Sequence, residues 1–366
     1  MSLATVPSPQ TIPYSDLIEA AVLAPSPDNN QPWRFVRRDD QLSIYLDPQR
    51  ALPSDVNGMF DLMGLGAAIE NICIAARQAG YEPCVDYGNW PAASVRDALQ
   101  PAATMTFTPG GDADPLFAHL ATRCTCRRLY STQQVAEASL QKMTEAAQYL
   151  PEVQLDWITD RRRIRALARL VAASDRIRFE YEPFHNELFR QLRFSVEDAE
   201  RTRDGLDIRT LELPPGAAGM LRHLQSWNRM KWVHRLGLGR LLTLPSALSV
   251  CKSGALGVLS VPELTTRQSL QGGRALQRIW LTAQAEGLAL QPIGSLSIFF
   301  AHVEQLHGQK LCRRHHLTIQ LLIERFRQLV PSTNGFVLLL AFRLGSSAPP
   351  SHRSLRRPPN QVFMKV

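Results

Sequence analysis

GAAIENICIAARQAGY at residues 66–81 and GRALQRIWLTAQAEGL at residues 273–288 read as two versions of one segment. Gly66 and Gly80 are spaced as Gly273 and Gly287 are. Ala68/Ala275, Ala76/Ala283 and Ala79/Ala285 are near-counterparts. Each segment has apolar residues at helical spacing and closes on a glycine, the residue that most easily takes the left-handed turn ending a helix. A fainter echo sets LIEAAVLAPSPDNNQPW against MTEAAQYLPEVQLDW, each ending in a tryptophan, Trp33 and Trp157. Any two Ala-rich helices closed by Gly look alike. Two matched segments in the same order point to an internal duplication.

Working outward, YSDLIEAAVLA from Tyr14 predicts an amphipathic helix, with Ser15 or Asp16 as its cap and Pro25 beyond its end. RFVRRDDQLSIYLDP predicts a hairpin about a DD turn. The helix over 63–80 is followed by strands near CVDYG and ATMTFTP. Residues 115–149 predict two helices, with Ser131 or Thr132 capping the second. VQLDWIT predicts a strand, and TDRRRIRALARLVAASDRIRF a basic helix with Asp160 at its positive end. Its arginines read as a solvated face. Residues 180–250 are irregular, punctuated by Gly and Pro, and contain WNRMKW. A helix near 309–329 and the buried strand GFVLLLAFRLG complete the second cycle, and FVLLLAF is too short to span a bilayer.

With 366 residues, 20% of them charged, the chain can bury a large core and is not disordered by composition. Its net charge of +8 favours anionic partners in general. No zinc finger, basic zipper or RNA-binding aromatic signature accompanies that charge, so no nucleic-acid partner is expected. Six scattered cysteines lack paired CxxC spacing, which argues against a zinc site and a disulfide framework. MSLATVPSPQ lacks the basic start and apolar run of a secretion signal. Without a disulfide framework a cytoplasmic protein is expected, and with FVLLLAF too short to span a bilayer no membrane partner is expected. The nine histidines form no HExxH or triad pattern, and neither a metal nor a catalytic side chain is expected.

Two motifs carry chemistry. In Pro25-Ser26-Pro27-Asp28-Asn29-Asn30-Gln31-Pro32-Trp33, prolines stiffen a loop that offers a hydroxyl and amides beside an apolar wall. That suits a planar heteroaromatic ring, and equally suits a plain helix-to-strand connection. In Arg123-Cys124-Thr125-Cys126-Arg127-Arg128, two guanidinium forks and a hydroxyl can meet one phosphate. Such a pattern also arises easily in a basic chain. Cys124 and Cys126 read as filler.

Together these residues resemble the nitroreductase family of FMN-dependent oxidoreductases. PSPDNNQPW at 25–33 is similar to the family's PSxxNxQPW loop, and Arg123-Thr125-Arg127 to its RxSxR motif. QPIG at 291–294 is similar to its flavin-side loop, and LRRPPNQV at 355–362 to its basic C-terminal segment. The resemblance implies an α+β fold of two related halves, each with a mixed, mainly antiparallel sheet flanked by helices, forming an intramolecular pseudo-dimer. The expected layout is an N-terminal arm (1–13), halves at 14–112 and 113–346 with a lid-like insertion at about 180–250, and a C-terminal arm (347–366). Ordinary members carry RxSxR before the PSxxN loop. Here the order is reversed, as in a duplicated single-chain branch that includes flavin-sequestering proteins.

By that resemblance Arg123, Thr125, Arg127, Arg356 and Arg357 surround the phosphate of one FMN. Pro25, Ser26 and Pro27 lie along its ring with Asn29 close by, and a backbone N–H near Gly294 or Ser295 faces flavin N5. From charge alone, Arg356 and Arg357 read as a solvated tail. The implied activity passes hydride from NADH or NADPH to a small organic acceptor such as a nitroaromatic, a quinone or a biosynthetic intermediate. The alternative is a flavin-binding protein with little turnover. Residues 215–245, with Trp227 and Trp232, are expected to cover the flavin edge. The degenerate loop LPEVQLDW implies one flavin per chain and a monomer.

Overall fold

The computed structural model describes residues 12–309 and 311–365, so most of the expected N-terminal arm lies outside the described residues. The chain opens with α1 (Tyr14–Val22), β1 (Trp33–Arg38), β2 (Gln41–Leu46) and the long helix α2 (Met59–Gln78). β3 (Tyr81–Asp86), the short α3 (Ala92–Arg96) and β4 (Ala103–Pro109) follow. Then come α4 (Glu137–Gln148) and β5 (Gln154–Ile158). An inserted stretch holds α5 (Arg161–Glu180), α6 (Glu182–Gln191), β6 (Leu192–Arg193), α7 (Val196–Thr202), β7 (Leu206–Asp207), α8 (Ala217–His223), α9 (Trp227–Arg235) and α10 (Leu244–Cys251). The chain returns through β8 (Ala255–Val261), α11 (Thr266–Ala285), β9 (Ala289–Ile293), α12 (Ser295–Glu304), α13 (Arg313–Leu329), β10 (Val337–Gly345) and β11 (Phe363–Lys365).

This is an α+β fold with two principal sheets. One has the order β11-β1-β2-β4-β3, the other β5-β8-β10-β9. Leaving β11 aside, both run first, second, fourth, third strand, and every neighbouring pair among those is antiparallel. In each sheet one helix precedes the first strand and one long helix joins the second to the third. α1 packs on α2, α4 packs on α11, and α2 crosses α11 at the centre of the molecule.

The crossing is reciprocal. A side chain on Gly66 would lie 2.0 Å from the Leu270 carbonyl, and one on Gly273 would lie 1.9 Å from that of Met63. Leu270 precedes Gly273 by three residues, as Met63 precedes Gly66. Glycine at these two positions therefore allows backbone contact that any Cβ would block. Buried polar ties reinforce the crossing. Arg274 and Arg278 pair with Glu70 at 2.7 and 2.8 Å, and Gln277 Nε2 donates to Asn71 Oδ1 at 2.6 Å. Val56–Gln78 is long and apolar enough to cross a membrane, but 94% of its most apolar window is buried, as suits a central core helix.

The hairpin forms as its sequence predicts, with Asp39 in the left-handed region at φ 53° and Arg38 opposite Gln41. Asp160 caps α5, accepting from the N–H groups of Arg162 and Arg163. Other expectations need correction. Pro13 precedes α1, which places Ser15 and Asp16 inside the helix, and α4 starts after Ala136 rather than near Ser131 or Thr132. The first of the two helices expected over 115–149 is a single 3-10 turn, Pro115–His119. Within the supposedly solvated face of α5, Arg161 holds the carbonyls of Ser253 and Cys251, and Arg163 holds that of Leu329. The irregular 180–250 stretch is mostly short helices.

Candidate functional site

The loop after α1 is strained and heavily tied. Asp28, Asn29 and Gln31 adopt φ of 46°, 58° and 52°, a conformation that costs energy for residues with side chains. Side-chain bonds hold them there. Ser26 Oγ accepts from the Gln31 N–H at 3.0 Å, and Asn30 Nδ2 donates to Asp61 Oδ1 of α2 at 2.7 Å. Gln31 Nε2 donates to the Arg203 carbonyl at 2.8 Å, and its Oε1 accepts from the Arg357 N–H at 2.7 Å. Asn29 Nδ2 donates to the carbonyls of Gly205 and Leu355, both at 3.1 Å, while its Oδ1 accepts from Arg356 Nη1 at 2.7 Å. The loop thus joins α2, the inserted stretch and the C-terminal arm. Asn29 is a support for Arg356.

Around that support sits a concentration of positive charge. A cavity of about 140 Å³ is lined by Arg123, Cys124, Thr125, Arg127, Arg353 and Arg356, among others. Arg123 is buried, donates to the Leu23 carbonyl at 2.8 Å and lies over the Trp280 ring at 4.6 Å. Arg127 Nη1 donates to the Thr210 carbonyl at 3.2 Å, and Arg353 Nη2 to the Arg123 carbonyl at 2.9 Å. Among the described residues, none of these four arginines forms a salt bridge, and the Nε groups of Arg123 and Arg356 are buried without a partner. Burial, with the charges of Arg356 and Arg353, pushes the Arg123 guanidinium down to about 9. Burial and Arg353 push Arg356 down to about 10, and burial lowers Arg127. Unpaired buried cations are costly, and a bound anion would relieve that cost. The arrangement is chemically a receptor for a phosphate-like group.

Thr125 and Arg127 also border a larger cavity of about 370 Å³. Pro25, Ser26 and Pro27 form part of its wall, and Ser26 and Pro27 pack on α2 at Gly64. Phe60, Met63, Leu276 and Trp280, from α2 and α11, supply apolar surface, and Gly294 and Ser295 complete it at the start of α12. First-turn N–H groups of a helix lack intrahelical partners and favour electron-rich atoms. α5, α6 and α10 close the other side with Val171, Asp175, Phe184, Glu187, Ser246 and Ser249. A size of a few hundred Å³, apolar walls and a few polar groups suit a planar organic molecule.

Acidic groups stand behind this wall. Glu187 accepts from the Ser54 N–H at 2.8 Å and from its hydroxyl, and burial raises its carboxyl above the usual range. His302 Nε2 meets the Ser54 carbonyl at 3.0 Å. Burial raises Asp61 to about 7, and burial with the Asp61 charge raises Asp55 well above its ordinary value. Burial also raises Asp175. Asp28 is engaged by Arg178 at 3.0 Å.

The sequence-named residues Pro25, Ser26, Pro27, Thr125, Arg127, Gly294 and Ser295 all line the larger cavity, and Arg123 and Arg356 join Thr125 and Arg127 at the smaller one. Arg357 does not reach either: its guanidinium turns to the carbonyl of Gln361 at 3.0 Å. Residues 215–245 do not line the larger cavity. Trp227 packs on His185 at 5.1 Å, and Trp232 is 61% exposed. The covering role falls to α5, α6 and α10. Arg353 was missed, although the run HRSLRRPP places it three residues before Arg356. Nothing in the local sequence marks Glu187 or Asp175.

No protein-family model matches the chain. "Uncharacterized protein MT1398" of Mycobacterium tuberculosis is 30% identical over 359 residues, covering 94% of this chain and 47% of that protein. The chain therefore spans about half the length of that relative. "Putative NAD(P)H nitroreductase acg" of the same species is 36% identical over 77 residues, 20% of this chain and 23% of that protein. Among solved structures, the FMN and NADPH-dependent nitroreductase NfnB from sphigopyxis sp. strain HMH aligns at 16% identity and a TM-score of 0.40, over 69% of this chain and 98% of that one. A protein named as a putative nitroreductase is thus among the curated relatives that the chain matches over a fifth of its length.

Proposed function

We propose that this chain binds one FMN in the joined cavities and acts as an NAD(P)H-dependent oxidoreductase on a small organic acceptor. The observation that carries the reading is the cluster of Arg123, Arg127, Arg353 and Arg356, without an acidic partner among the described residues, opening through Thr125 onto an apolar-walled cavity. The residues present fit the cofactor: unsatisfied guanidinium N–H groups match a phosphate dianion, and the proline-walled space matches a flat ring. When bound, FMN supplies the hydride chemistry, accepting from NADH or NADPH and donating to the acceptor.

The chain's own residues then have separate tasks. Arg123, Thr125, Arg127 and Arg356 hold the phosphate end, and Asn29 keeps Arg356 aimed at it. Pro25–Pro27 and Trp280 present a rigid surface to the ring. Ser295, at the positive end of α12, offers backbone N–H groups to its electron-rich edge. Glu187, its carboxyl raised by burial and held by Ser54, places a polar group at the cavity wall. The reciprocal α2–α11 crossing supports a single-chain pseudo-dimer working as a monomer.

A second reading has its own support. α5, α6 and α10 cover the larger cavity, and a flavin so covered would be stored rather than turned over. An absorption spectrum of the purified protein, followed by anaerobic NADPH addition, separates the two. A flavin band that bleaches supports the oxidoreductase. A band that persists favours sequestration, and failure to take up FMN at all sinks both.

A further inference from the structure

The inserted stretch carries a surface that the cavity does not use. From residue 213 to residue 262 the chain has no Asp or Glu, yet it contains Arg222, Arg229, Lys231, Arg235, Arg240 and Lys252. This one segment accounts for +6 against the chain's net +8, and all six side chains are exposed. Interleaved with them is apolar surface that should not face water in a simple globular protein. Trp232 is 61% exposed, Leu236 68%, Leu241 58%, Leu244 58% and Leu248 47%.

Spacing gathers these residues into stripes. Trp232 and Leu236 are four apart along α9 and its end, with Arg235 stacked on the Trp232 ring at 5.1 Å. Leu241, Leu244 and Leu248 stand at i, i+3 and i+7 across a 3-10 turn (Leu238–Thr243) and α10, one row along a helical surface. The opposite side of α10 is spoken for, since Ser246, Ser249 and Val250 line the cavity. Leu244 and Leu248 are therefore not misplaced core residues; the core side of their helix is already filled.

We propose that this face docks on a membrane surface rich in anionic phospholipid. Short helices with Leu and Trp on one side and Lys and Arg around them lie in the headgroup region, with the apolar side chains entering the acyl boundary. The total absence of acidic side chains over fifty residues is what an anionic lipid surface attracts, at about fivefold in partitioning per basic residue. A tryptophan carrying a stacked arginine matches the interfacial position, apolar ring inward and charge outward. The shortness of FVLLLAF, on which the expectation of no membrane partner rests, does not bear on surface binding of this kind.

The test uses the full chain, without added cofactor or reductant, and vesicles of phosphatidylcholine alone or mixed with an equal part of phosphatidylglycerol. Cosedimentation is expected only with the mixed vesicles, falling as salt is raised. A blue shift of tryptophan emission on binding should vanish in Trp232→Phe. The double variant Lys231→Gln, Arg235→Gln should partition about 25-fold less, while Arg38→Gln, exposed on β1, should bind as before. Leu244→Ser with Leu248→Ser should also release the protein. Absent binding, equal binding to neutral vesicles, or binding unchanged in the Lys231/Arg235 or the Leu244/Leu248 double variant would each overturn the proposal. So would a stable dimer of the free chain that Leu244→Asp dissociates, because the face would then belong to a second copy.

Discussion

In the first sheet, β1 passes to β2 through the two-residue turn Asp39–Asp40. In the second, residues 159–254 separate the matching strands β5 and β8 and hold six helices. The loop ahead of β1 is PSPDNNQPW, held open by Asn29, Asn30 and Gln31. Its counterpart ahead of β5 is LPEV, where Leu150 and Val153 are buried in an apolar cluster. One framework therefore does two jobs: the first half keeps a polar loop that borders a cavity, and the second closes that cavity with added helices. The comparison teaches that strand order and the central crossing are separable from the site, which depends on loops that the two halves do not share.

The shared part can be broken at its two glycines. Gly66→Val and Gly273→Val each drive a Cβ into a backbone carbonyl that cannot rotate away, and each should cost more than about 3 kcal/mol in urea denaturation. Gly287→Ala, with open space but φ of 69°, should cost only about 1 kcal/mol. A mild loss at just one of the crossing glycines would show that the contact is not reciprocal.

Polar ties at the crossing sharpen the comparison. Glu70 and Gln277 occupy the same place in the two segments, but Glu70 neutralises two arginines while Gln277 makes a neutral bond. Glu70→Ala should therefore destabilise by about 3–5 kcal/mol, leaving buried charge behind. Gln277→Ala should cost about 1–3 kcal/mol. Equal losses would mean that the ion pairs contribute no more than hydrogen bonds.

At the site itself, Arg123→Ala, Arg127→Ala and Arg356→Ala should each weaken FMN binding by about 1.5–3 kcal/mol in titration. Arg163→Ala removes a bond to the Leu329 carbonyl and should lower stability slightly, with FMN affinity kept. The remaining prediction concerns pH. Asp61, raised from 3.8 to about 7, binds its proton more tightly in the folded chain than in the unfolded one. Its contribution to stability is present below pH 3.8 and is lost as pH rises towards 7. Asp61→Asn should flatten that fall, and an unchanged pH profile would remove Asp61 as its cause.

Much of this was legible. The paired segments at 66–81 and 273–288 marked both central helices, because glycine spacing records a backbone contact directly. The hairpin was legible because alternation and a DD turn are local signals. β8 was not, because ALGVLSV is buried on both faces and shows no alternation. The inserted helices were hidden because Pro183 and Pro245 look like breakers, while each sits in a first turn where proline is tolerated. Arg356 and Arg357 could not be told apart by composition. Successive residues of an extended chain point opposite ways, so one reaches Asn29 and the other Gln361.

The central claim is that only one of the two halves supplies a flavin loop, and FMN stoichiometry tests it most directly. Protein saturated with FMN, freed of excess and denatured should release one flavin per chain, and Arg123→Ala should lower that yield under the same wash. Two flavins per chain would mean that the Leu150–Val153 side also forms a site, contradicting the account.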